Sequence, residues 1–126
     1  MEPLVNYGHE TDDEIVKRHM HRELHTWISH LDAMNTEADQ LAKIVSHRIG
    51  DKELRDALLD DINENINLLN EFYTYRNLFN NNVRECDEME CDLFYLQKHD
   101  YIFEKYVACV TQNQAIKDSV YQKLLV

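Results

Sequence analysis

The sequence predicts an all-α protein, an antiparallel bundle of long helices, and three observations carry that prediction. Two glycines and one proline in 126 residues leave too little turn chemistry for a sheet protein, which needs a turn about every eight to twelve residues. Hydrophobic residues make up 44% of the chain, enough to fill a helical core. They recur at alternating spacings of three and four, the period of a helix with one buried face. The length suits one domain.

Residues 1–10 hold the only proline, Pro3, and one of the two glycines, Gly8. They read as a flexible arm ahead of a single bundle domain over 11–126. Thr11 and Glu14 fit a capping box, and Asp12 and Asp13 add favourable charge at a helix start. From there Val16, Met20, Leu24, Trp27, Leu31, Met34, Ala38, Leu41, Val45 and Ile49 fall on one stripe. This predicts a first helix over 12–49, roughly 57 Å long at 1.5 Å per residue. The alternative is a break at Thr36, acting as a new cap with Asp39 three residues on.

His47 and Arg48 suit a last turn, Gly50 suits the left-handed position after it, and Asp51 can cap a new helix at once. The second stripe runs Leu54, Leu58, Ile62, Ile66, Leu69, Phe72 or Tyr73, and Phe79, predicting a helix over 52–79. The asparagines at 80–82, poor helix formers, mark its end. A third helix is expected over 83–110, with a further helical segment to 124 after the polar run Thr111 to Gln114. It carries two apolar stripes about 150° apart. One holds Cys86, Met89, Leu93, Leu96, Phe103, Val107 and Val110, the other Tyr95, Ile102, Tyr106, Cys109, Ile116 and Val120.

A helix apolar on two flanks must touch more than one neighbour. Three helices leave uncovered surface, particularly at Tyr95, Tyr101, Phe103 and Tyr106, which predicts a homo-oligomer, a homodimer with coiled-coil packing. The alternative folds these aromatics back on the terminal segment in a four-helix monomer.

Acidic residues outnumber basic ones 24 to 13, a net charge of −11. Such a field repels phosphate and argues against nucleic acid and membrane surfaces as partners, while leaving room for a basic protein partner. The start "MEPLVNYGHETDDE" lacks the basic and apolar blocks of a signal peptide, and no run is long enough to span a bilayer. A soluble, cytoplasmic protein is expected. Cys86, Cys91 and Cys109 are odd in number and lack CxxC spacing, so they read as reduced thiols, with Cys109 buried.

The chemical lead is residues 19–30, "HMHRELHTWISH". On a helical wheel His19, Glu23 and His30 share one shoulder of the apolar stripe, while His21 and His25 lie toward the solvated side. His19 and Glu23, one turn apart, can chelate one ion, and His30 extends the set. These three form a candidate metal site for iron or zinc, to be completed by acids of a second helix such as Asp60, Asp61, Glu64, Asp87 or Glu88. The His21–His25 pair can hold zinc or nickel only weakly. A ferritin-like site wants two ExxH elements, absent here, and a hemerythrin-like site wants HxxxE, HxxxH and HxxxxD on different helices. In this chain the first two overlap on one helix, and the late element is His99 to Glu104.

Two further features bear on chemistry. "RECDEMECD" sets Glu85, Glu88 and Asp92 on one face, suited to a divalent ion, a basic partner or plain solvation. Asp100, with His99 beside it, interrupts the Leu96 to Phe103 stripe and puts one polar group between apolar layers. There is no GxSxG, GxGxxG or phosphate loop.

The segment "HRELHTWISHLD", the DKE turn at 51–53 and the asparagine-rich second helix together resemble small uncharacterised bacterial helical-bundle proteins of unknown function, over about residues 19–80. The resemblance implies a helical-bundle fold and brings no activity or site residues. The expected function is therefore non-enzymatic protein–protein interaction without a cofactor, by self-association or as an acidic adaptor or regulator. The competing expectation is a metal-binding bundle using His19, Glu23 and His30.

Overall fold

The computed structural model describes residues 12–82 and 89–125, with side chains for all of these except 13, 79–82 and 89–94. Three α-helices account for nearly all of them: α1 (Asp12–Ile44), α2 (Lys52–Asn82) and α3 (Met89–Leu124). A π-helical turn, Val45–Ile49, prolongs α1. The expected arm at 1–10, the Thr11 cap, Cys86 and the acids Glu85, Asp87 and Glu88 lie outside the described residues. Among the described residues, no helix is long and apolar enough to cross a membrane.

α1 runs unbroken through Thr36, whose hydroxyl donates to the carbonyl of Asp32, one turn back (3.3 Å), instead of capping a new helix. The hairpin into α2 follows the expected chemistry. Gly50 takes the left-handed conformation, φ 73°, its amide bonding the Val45 carbonyl at 2.7 Å. Asp51 Oδ1 then accepts the Leu54 amide at 3.0 Å, a cap on α2. The same carboxylate pairs with Lys123 at the end of α3, so one turn ties down all three helices.

Two expected boundaries move. α2 continues through the asparagines to Asn82. α3 passes through "TQNQ" as one helix because partners engage the polar side chains. Asn113 Nδ2 donates to Asp61 (3.0 Å) and Gln112 to Glu64 (3.1 Å), both on α2, and Gln114 donates to Asp118 (2.8 Å) one turn on within α3.

Contacts rise together along α1 and α3, from Trp27–His99 through His30–Tyr106 to Glu37–Lys117. They run oppositely along α2 and α3, from Asp61–Asn113 through Asn65–Cys109 to Tyr75–His99. α1 and α3 are therefore parallel to each other and antiparallel to α2.

The core divides in two. One cluster gathers Met20, Leu24, Trp27, Leu31, Met34, Phe72, Tyr75 and Ile102, the other Ala38, Leu41, Val45, Leu58 and Val120. Between them runs a polar layer. Buried Asn65 donates to Asn35 Oδ1 (2.9 Å) and accepts the Cys109 thiol (2.5 Å), while buried Asp61 accepts Asn113. Pairing each buried polar group avoids a desolvation cost of about 1–3 kcal/mol per group.

The stripes hold in part. On α1 Met20 to Val45 are buried as expected, but Val16 is exposed. On α2 the inward face is Leu58, Asp61, Asn65, Leu68, Phe72 and Tyr75, and the expected Ile66 is exposed. On α3 the Tyr95, Ile102 and Val120 stripe faces the core, whereas Leu96, Phe103 and Val107 face outward.

Two substitutions test this account by thermal unfolding. An alanine at Gly50 meets open space but must hold a positive φ, so Gly50→Ala should destabilise by about 1 kcal/mol. An unchanged midpoint would contradict the turn assignment. Burial pushes the Asp61 carboxyl above its ordinary range, with the Asn113 bond opposing and Glu64 adding to the rise. A carboxyl whose folded pKa exceeds its unfolded one loses stabilising effect as pH rises through the folded value, so at pH 7 charged Asp61 is a net cost. Asp61→Asn, which keeps an acceptor for Asn113, should stabilise by on the order of 1 kcal/mol at pH 7 and give no gain below pH 3. A lower midpoint at pH 7 would contradict this.

Candidate functional site

The helical pitch delivers the histidine-rich stretch of α1 to α3 along a single seam. Trp27 (α1) lies at the centre, its ring centroid 4.8 Å from His99, 5.3 Å from Phe103 and 5.5 Å from Tyr106. On its flanks Glu23 Oε1 lies 3.4 Å from His99 Nε2, and His30 Nδ1 hydrogen-bonds the Tyr106 hydroxyl at 2.5 Å. From α2 the Tyr75 hydroxyl donates to the Tyr95 carbonyl (3.3 Å) and sits 3.4 Å from His99 Nδ1.

His99 is the polar group between apolar layers; Asp100 beside it is exposed. Nε2 of His99 makes no hydrogen bond, since Glu23 is within ion-pair reach but badly aligned. Burial pushes the His99 pKa below its ordinary value, with Glu23 and Asp100 pulling it partway back. The ring is accordingly neutral at pH 7.

The expected metal ligands all lie on α1. His19, Glu23 and His30 are all exposed on α1. Glu23 reaches a histidine of α3 where an acid was expected, and His30 is taken by Tyr106. Of the acids named for completion, Asp60 is exposed, Asp61 bonds Asn113 and Glu64 bonds Gln112, while Asp87 and Glu88 lie outside the described residues. Among the described residues no three histidine, cysteine, aspartate or glutamate side chains converge closely enough to hold a metal ion.

The thiol of Cys109 is half-buried, where full burial was expected. It borders an open cleft of about 300 Å³ between α2 and α3, with Glu64, Glu71, Lys105 and Gln112. Burial, reinforced by Asp61 and Glu64, pushes its pKa up to about 11, so at neutral pH it is a protonated thiol and a poor nucleophile. A second open cleft, about 320 Å³, lies at the hairpin beside Ser46, Asp51 and Arg55. Neither lining includes a histidine that could serve as a base.

What the seam leaves outside is more distinctive. Leu96, Phe103, Val107 and Tyr121 of α3 are 43–45% exposed, and half-buried Val110 lies among them. Steps of seven, four, three and eleven set them on one face, the spacing of a helix–helix contact. Of the four aromatics expected to seek cover, Tyr95 is buried and Tyr106 half-buried, whereas Tyr101 and Phe103 remain exposed. Lys98 and Lys105 lie over the Tyr101 ring at 4.8 and 5.2 Å. The outer stripe was legible in the sequence; that it stays largely exposed among the described residues was not.

No protein-family model, curated protein or solved structure matches the chain.

His99 sets a pH dependence with a definite sign. A base whose folded pKa lies below its unfolded value binds more protons when unfolded, so its contribution is full above about pH 6.5 and lost as pH falls below it. The thermal midpoint should therefore drop between pH 7.5 and 5.5, and His99→Gln, which cannot titrate, should flatten that drop. Equal slopes in the two proteins would rule out His99 as the cause.

Proposed function

We propose that the protein is a non-enzymatic helical bundle that works through protein–protein contact, with the outer face of α3 as its working surface. One observation carries the reading: α3 presents an inner apolar stripe to α1 and α2, and a second line, Leu96, Phe103, Val107 and Tyr121, of which each side chain stays 43–45% exposed. A solvent-facing helix flank is normally polar, and apolar side chains repeated along one line mark a contact surface.

The chemistry of the remaining groups supports the same reading. The thiol is held protonated, His99 is neutral and enclosed by rings, and the open clefts offer no paired nucleophile and base. The long helices supply a preformed surface, on which a partner binds without the protein having to be reordered first.

A photo-crosslinking residue in place of Val107 tests this in cells. It should give discrete covalent products, with a second copy or with another protein. The same residue in place of Asp60, exposed on α2 away from this face, should give far fewer. No products from position 107, or equal yields from both positions, would reject α3 as the working surface.

A further inference from the structure

The outer stripe of α3 runs beside the flank of α1 that meets it, and the two make a shallow groove. We propose that this groove takes one basic amphipathic helix of another protein, lying along α3 as the fourth helix of the bundle. The inference rests on the interaction reading above and adds the place and the partner's chemistry.

Leu96, Phe103, Val107 and Val110 supply the apolar floor. Thr26 and Ala33 of α1, seven residues apart and both exposed, lie on the same flank as Glu23 and His30, which touch α3. Their small side chains allow a helix to approach closely. From Leu96 to Val110 the floor is roughly 21 Å long at 1.5 Å per residue, room for about two heptads of a bound helix.

The rims decide which helix fits. On the wheel Asp100, Glu104 and Asp118, all exposed, border the floor on the side away from α1. Glu23 and Glu37 border it on the α1 side, where exposed Arg22 also stands, one turn before Thr26. Lys117, the lysine nearest this line, is engaged by Glu37 Oε1 at 3.0 Å, and Lys98 and Lys105 stand on the opposite flank over Tyr101. An apolar floor with acids on both sides complements a helix whose leucine-type seam is flanked by lysine or arginine.

A second copy fits less well. Two-fold antiparallel pairing would set the acidic rim of one α3 against the same rim of the other, and parallel pairing would set it against the acidic flank of α1. The net charge of −11 adds to that repulsion.

The full chain, titrated with three synthetic peptides of about 21 residues (three heptads), provides the test. The first peptide has a leucine seam flanked by lysines, the second is its scramble, and the third keeps the seam with glutamate flanks. Binding is read by calorimetry and by the fluorescence of Trp27, the only tryptophan, which packs against Phe103.

The lysine-flanked peptide should bind at least tenfold tighter than either control. Val107→Asp, at an exposed position, should weaken it at least tenfold with the helical circular dichroism unchanged. Asp100→Lys combined with Glu104→Lys should reverse the preference toward the glutamate-flanked peptide. Equal binding of the scramble, or binding unaffected by Val107→Asp, would overturn the groove. If the lysine-flanked peptide fails to bind while position 107 still crosslinks, the partner chemistry is wrong and the interaction reading stands. If light scattering shows a dimer that Val107→Asp dissolves, the occupant is a second copy and the proposal is overturned.

Discussion

The side chain of Asn65 is bonded to both neighbouring helices at once, donating to Asn35 on α1 and accepting from Cys109 on α3. It is buried, as is Asp61 one turn earlier, which accepts Asn113. A shift of α3 by one residue would rotate it about 100° and strand these groups without partners in an apolar interior. Apolar side chains tolerate such slips far better, because dispersion and burial have little directionality. The polar layer thus sets the register that the two flanking apolar clusters then fill.

That register determines what α3 shows on each side. With Cys109 and Asn113 held against α2, helical pitch turns Tyr95, Ile102 and Val120 inward and brings His99 and Tyr106 to α1. Trp27 then meets three rings of α3, and Glu23 and His30 find their α3 neighbours. The flank beside this seam, with Leu96, Val107 and the outer side of Phe103, is left facing solvent. The exposed stripe is thus a consequence of the inner packing: a helix with apolar residues on two flanks can satisfy only one of them in a three-helix arrangement.

The functional reading follows from that division. His99, Asp61 and Cys109 are each enclosed, paired or held in a neutral or protonated form. The groups at the surface are apolar along one line and acidic beside it. Burying such a line releases water from apolar area, while the acids select for opposite charge and disfavour like charge.

The sequence by itself determined the helical class, the continuity of the α1 stripe from Met20 to Val45 and the hairpin at Gly50 and Asp51. Each depends on local physics: periodicity, the left-handed freedom of glycine, and a capping carboxylate. It also displayed both apolar stripes of α3. Only the tertiary structure decided which stripe turns inward, that Asp61 and Asn65 are buried on α2 while Ile66 is exposed, and that "TQNQ" stays helical. A wheel that counts apolar residues drifts past polar core positions, because what makes Asn65 and Asn113 tolerable inside is a partner on another helix. The same reason governs His19, Glu23 and His30. Their shared flank was legible from spacing, but whether ligands converge there depended on which α3 residues arrived, and those were His99 and Tyr106.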